Sequence, residues 1–154
     1  MVDNHTVMVD GFCAECGCRE IDGHSCFGQF EFPLAWEHND PALYALHFWL
    51  VTCYMIQHPS NYTEEGYAQM IRLFVDAYDN AWDTPHILKV NRERVKLIGK
   101  ISNPTPSAHR SRKSRKWSMT INDIYLGGEE NAIEGLLRWK DTIRRELPTF
   151  SEQD

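Results

Sequence analysis

The stretch FCAECGCREIDGHSC places Cys13, Cys16, Cys18 and Cys26 close together near the start of the chain. Cys13-Ala-Glu-Cys16-Gly has the form of a metal knuckle: thiolates two residues apart can grip one ion, and the glycine lets the backbone turn back over the sulfurs. A tetrahedral ion asks for four donors. A chain built around such a centre must therefore bring this N-terminal hook against whichever element carries the remaining ligands.

The alternatives to a metal are weaker. The chain has five cysteines, an odd number that fits disulfide pairing poorly. The first residues, MVDNHTVMVDG, are acidic and lack the basic-then-apolar order of a signal peptide. No apolar run approaches the roughly 20 residues of a membrane span. The expectation is a cytoplasmic protein with no membrane partner, whose cysteines are thiols or ligands. A redox Cys-x-x-Cys of the thioredoxin kind needs a βαβ setting, and the pattern shows none. Cys53 falls in a helix that reads as core. Neither a glycine-rich phosphate loop nor a nucleophile elbow is present.

With 154 residues, 42% of them hydrophobic, the chain is long enough for one domain with a substantial core, so a metal would not hold the fold alone. The pattern predicts a mainly α protein, a small helical bundle with an irregular cysteine-rich zinc hook. Within a single domain over 1–154, residues 1–39 form the metal-binding hook, 40–100 a helical core, 101–118 a basic loop and 119–148 a C-terminal helical region. Residues 27–38 are aromatic-rich, and Pro33 is expected to interrupt or start a helix there. Asp40-Pro41 reads as an N-cap and first position, opening one helix to about Gln57 that stops before Pro59. Most of its residues are apolar, which marks it as central. Thr63 caps the next helix, whose Tyr67, Met70, Ile71, Phe74, Val75 and Tyr78 make an amphipathic stripe. Thr84-Pro85 starts a third, with Ile87, Leu88, Val95 and Ile98 on one side. Thr120 to Tyr125 reads as a helical turn ended by Gly127-Gly128, and a last helix runs over about 129–147 until Pro148.

Histidines supply the remaining ligand candidates: His24, His38, His47, His58, His86 and His109 follow the knuckle. His47 and His58, on the same predicted helix, are about 20° off whole turns and about 16 Å apart along the axis, so they cannot share one ion while that helix is intact. If 26–38 were helical and turned back near 39–40, antiparallel packing would set Cys26 opposite about residue 54, nearer His58 than His47. The spacing thus favours Cys13, Cys16, Cys26 and His58 as a zinc site, with His47 as substitute and Cys18 as a further candidate. Tyr54 and Gln57 would stand behind the ligands as supports. A different use of the same helix face is a metal-dependent hydrolase or acid–base enzyme built on His47, Tyr54, Gln57 and His58.

These residues resemble an uncharacterised bacterial family carried as a domain of unknown function. Its marks are Cys-x-x-Cys-Gly, a further cysteine about ten residues on, and a helix ending in His-x6-Tyr-x2-Gln-His-Pro. Here those positions are Cys13, Cys16, Cys26, His47, Tyr54, Gln57 and His58, and the likeness covers roughly residues 13–80, with a weaker echo in Trp117, Asp123 and Trp139. Two positions depart from it: Thr52 stands where many members have Asp, and Pro33 falls where members look helical. The resemblance brings no activity with it.

Charge gives the other lead. The net charge of −6 conceals a segregation: no Asp or Glu lies between Glu93 and Asp123, a window holding eight of the sixteen basic residues. The rest of the chain sets eight basic residues against 22 acidic ones. Arg110, Arg112, Lys113, Arg115 and Lys116, followed by Trp117, read as a surface for nucleic acid or an acidic protein partner, the bases contacting phosphates and the indole stacking. A solvated loop balancing the acidic body, of this chain or of a second copy in a homo-oligomer, is the plainer reading of the same residues.

Overall fold

The computed structural model describes residues 8–97 and 116–147. Arg110, Arg112, Lys113 and Arg115 of the basic stretch, and Ile98 of the third helix, lie outside the described residues.

The hook has more order than an irregular segment. Strands β1 (Met8–Val9) and β2 (Phe12–Cys13) pair antiparallel with Met8 opposite Cys13. Asp10 and Gly11 join them, both at positive φ (54° and 84°), as a two-residue hairpin of matching twist requires. The same device recurs at Asp22-Gly23, again at positive φ (54° and 79°), where Ile21 and His24 exchange backbone hydrogen bonds of 3.1 and 2.8 Å. Between the two turns Phe12 bridges Arg19, closing the loop that carries Cys13, Cys16 and Cys18.

Helix α1 (Cys26–Trp36) starts at Ser25, whose hydroxyl accepts from the Gly28 N–H. It runs through Pro33 instead of breaking there. A proline inside a helix costs about 3 kcal/mol. Burial of Cys26, Gln29, Phe30 and Pro33 on one side of this helix opposes that cost, since tertiary packing routinely overrides propensity.

The single helix expected from Asp40 to Gln57 is two. Asp40 does cap α2 (Pro41–Tyr44), its carboxylate accepting from Ala42 and Leu43. The chain then tightens, with the Leu46 N–H donating to Leu43 O at 2.9 Å, and α3 (His47–Ile56) follows. Its central place holds: Trp49, Leu50, Thr52, Cys53, Tyr54 and Ile56 are all buried, and it packs on both α4 and α7.

Helix α4 (Glu64–Asp79) has its Thr63 cap and buries Tyr67, Ile71, Phe74 and Val75 of the expected stripe together with Leu73 and Ala77. Full burial of each large apolar side chain is worth about 1.5–3 kcal/mol. Helix α5 (Thr84–Val95) is capped by Asp83 and buries Ile87, while Leu88 faces solvent. Helix α6 (Ile121–Gly127) has a full capping box between Thr120 and Asp123 and ends at Gly128 with φ 79°. Helix α7 (Ala132–Glu146) follows a 3-10 turn and sinks Trp139 and Ile143 completely. The closest helix pairing is α1 with α6, so the helix that begins at Cys26 rests on one nearly a hundred residues later. No described helix is long and apolar enough to cross a membrane.

Candidate metal centre

Three segments converge on one point. The knuckle turn supplies Cys13 and Cys16, the first residue of α1 is Cys26, and His58 follows the end of α3. The Sγ atoms of the three cysteines and a ring nitrogen of His58 all lie within 4.8 Å of one another. Cys26 Sγ is 3.3 Å and Cys13 Sγ 3.7 Å from His58 Nε2. A tetrahedral ion with metal–sulfur bonds of about 2.3 Å and metal–nitrogen bonds of about 2.0 Å would set sulfur and nitrogen about 3.5 Å apart, so the two distances bracket the requirement. These four residues are close enough to hold a metal ion, and all are at most 4% exposed.

Local bonding prepares each donor. His58 Nδ1 is 2.7 Å from Tyr54 O. A carbonyl only accepts, so Nδ1 carries a hydrogen and Nε2 is the ring nitrogen that faces the sulfurs. The imidazole also stacks on the Tyr54 ring at 4.1 Å, and Tyr54 stacks on Phe30 at 4.1 Å with only 7° between planes. The sulfurs receive hydrogen bonds of the kind that steady thiolates: Cys16 N–H to Cys13 Sγ (3.5 Å), Cys18 N–H to Cys16 Sγ (3.4 Å) and Tyr54 O–H to Cys26 Sγ (3.7 Å). Gly17, at φ 82°, makes the turn, and its N–H returns to Cys13 O at 3.0 Å.

Crowding so many thiols forces unequal sharing of charge. Hydrogen bonds from Cys13, Cys16 and Cys18 hold the Cys26 thiol far below its ordinary value, against burial. Cys16 is pushed up by the same contacts. Burial works to discharge His58, but its contacts with Cys13 and Cys26 outweigh that and raise it well above the usual imidazole range. The contacts thus draw Cys26 toward its thiolate form and His58 toward its protonated form. A divalent cation would let all three thiols ionise and take the proton's place on His58.

The substitute ligand His47 is not brought into the cluster. The break after α2 turns it toward Glu37, whose two carboxylate oxygens lie 2.8 and 3.0 Å from Nδ1, and its side chain is 47% exposed. Gln57 is buried, and its Nε2 donates to Met119 O at 2.8 Å. Cys18 is buried beside the centre but outside the four-donor group. Lys116 is exposed, whereas Trp117 packs against the core, which leaves its ring poorly placed for stacking on a base.

Several contacts that position the site carried no signal in the sequence. Glu15, inside the knuckle, accepts from the Ser60 N–H (2.9 Å) and hydroxyl (2.8 Å), tying the Cys13–Cys16 turn to the segment just after His58. Gln29, wholly buried, donates to Arg19 O and His24 O. Asn122 of α6 accepts from the Arg19 N–H and donates to Arg19 O and Gln29 Oε1, and the Tyr125 hydroxyl donates to Asp22. Polar residues at such spacings are common on any surface, and only the fold gathers them.

The fold and the site together define a small, mainly helical protein whose N-terminal hook meets the exit of α3 in a buried cluster of three thiols and one imidazole. The chain belongs to the family of unknown function DUF5946, whose model matches residues 11–148. No curated protein and no solved structure matches it.

Proposed function

We propose that the cluster is a structural zinc site, closed by Cys13, Cys16, Cys26 and His58, in a protein that serves as an interaction or regulatory module. The observation that carries this reading is His58 Nε2, oriented by the Nδ1–Tyr54 O bond and set among three buried sulfurs. Sulfur-rich donor sets favour zinc among the common divalent ions, and four protein ligands leave no position for substrate or reactive water. Reduced thiols and such an ion suit a cytoplasmic setting. The competing hydrolase or acid–base reading needs His47 and Gln57 turned to the reacting centre, and their bonds to Glu37 and Met119 oppose it.

Metal analysis of purified protein should return one zinc per chain. Cys13→Ser should lose the metal and lower the melting temperature. Zinc-treated wild type that melts no higher than its metal-free form and no higher than Cys13→Ser would refute the proposal.

The basic stretch gives the module its partner class. Arg110, Arg112, Lys113, Arg115 and Lys116 set an isolated positive segment on an otherwise acidic chain, which favours a nucleic acid or an acidic protein held by charge. Binding of this kind weakens steeply as salt rises; an affinity for single-stranded nucleic acid that ignores salt would rule it out.

A further inference from the structure

A further thiol, that of Cys18, is buried beside the four-donor group. Cys18 is 1% exposed. Its backbone is pinned on both sides, the N–H donating to Cys16 Sγ (3.4 Å) and the carbonyl accepting from the Cys13 N–H (2.8 Å). Its thiol lies outside the mutually close group of four, on a residue whose backbone already bonds two members of that group.

We propose that Cys18 is an alternate fourth ligand, so that the centre takes an ion in two closed forms, three thiolates with His58 or four thiolates with His58 released, the second selected by ions softer than zinc. This rests on the zinc reading above and names the ions that the same site distinguishes.

The balance follows from charge and softness. With a divalent ion the His58 form carries a net charge of −1 and the tetrathiolate form −2, both in a buried site. The sulfurs are steadied by two backbone N–H groups and the Tyr54 hydroxyl, while the neighbouring Arg19 is exposed. A second buried negative charge is costly in such surroundings, which favours His58 for zinc. Cadmium gains more from each thiolate than from an imidazole, which favours Cys18. The exchange is balanced: one thiol proton leaves Cys18, one imidazole nitrogen is freed, and four bonds to the ion remain.

Cobalt(II) and cadmium(II) report the donor set directly. Wild type loaded with cobalt should show a tetrahedral spectrum with the charge-transfer intensity of three thiolates, and Cys18→Ser should be the same. His58→Ala should still bind cobalt, with that intensity raised by about one third, whereas His58→Ala with Cys18→Ser should bind at least about a hundredfold more weakly, the upper range for lost metal-site support. Should His58→Ala fail to keep its helical circular dichroism, the wild-type fold still provides the test: the cadmium-113 resonance of wild type should lie downfield of that of Cys18→Ser, as a fourth sulfur requires. Identical cadmium resonances in the two proteins, or a Cys18→Ser protein that has already lost a cobalt thiolate, would overturn the alternate-ligand proposal while leaving the metal site standing. Wild type that binds neither ion would overturn the zinc reading itself, and this inference with it.

Discussion

Free zinc should set the melting temperature of this protein, by an amount the site's construction determines. The four donors come from the hook, the start of α1 and the exit of α3, up to 45 residues apart. The unfolded chain therefore presents no preformed site, and binding favours the folded state alone. Stability then rises by about 2.7 kcal/mol at a free zinc concentration a hundred times Kd and by about 1.4 kcal/mol for each further tenfold. For a chain of this size 1 kcal/mol moves the melting temperature by about 2–4 °C. Each decade of free zinc above Kd should thus raise it by roughly 3–6 °C. The assay is thermal unfolding by circular dichroism in metal buffers spanning three decades. Cys13→Ser should flatten the dependence. Cys53→Ala supplies the control: Cys53 is wholly buried in α3 but is not among the four donors, so this variant should melt lower and keep the same slope. A wild-type melting temperature independent of free zinc, or a Cys53→Ala variant with an altered slope, would refute the reasoning.

Two further outcomes follow from the same contacts. Tyr54→Phe keeps the ring that stacks on Phe30 and His58 but removes the hydroxyl that reaches Cys26 Sγ; zinc affinity measured by chelator competition should fall by about 10–100-fold, as for other supports of metal ligands, with helix content unchanged. Iodoacetamide should leave all five buried thiols of the zinc-loaded protein unmodified, and chelation should open Cys13, Cys16, Cys18 and Cys26 to it while Cys53, whose thiol is pushed up by burial, stays inert in peptide mapping.

The helical architecture was legible because caps and stripes are local. Asp40, Thr63 and Thr120 each announce a helix start that their side chains then make. The donor group was legible in part: Cys-x-x-Cys-Gly states its own geometry, whereas the packing argument that reached His58 assumed one unbroken helix from Asp40, and α1 packs chiefly on α6. Asp10-Gly11 and Asp22-Gly23 were also readable as tight hairpin turns, yet the strands they join are too short to alternate, so the hook read as irregular. The break at Ala45 and Leu46 carries no proline or glycine, and nothing local marks it. It decides the fate of His47, which meets Glu37 across the turn. Pro33 misleads in the opposite sense, because its cost is local and the burial that opposes it comes from distant elements.

Beside the Glu15–Ser60 and Tyr125–Asp22 bonds, two anchors of the hook can be removed separately, and their separation has a consequence that can be measured. One is the four-donor cluster, which fixes Cys13, Cys16 and Cys26 to His58. The other is the polar clamp, in which Gln29 and Asn122 hold the backbone of Arg19 and His24. Asn122→Ala takes a bond from the buried Gln29 Oε1 and two from Arg19, at a cost of about 1–3 kcal/mol for the buried group left unpaired. Metal removal leaves that clamp whole. The amides of Ile21 and His24, which bond each other's carbonyls across the second turn, should therefore resist hydrogen exchange when either anchor is present and exchange fastest when both are gone. Chelation alone should deprotect neither amide, and Asn122→Ala with zinc bound should deprotect them only in part. If chelation by itself frees both amides, the clamp has no holding power of its own.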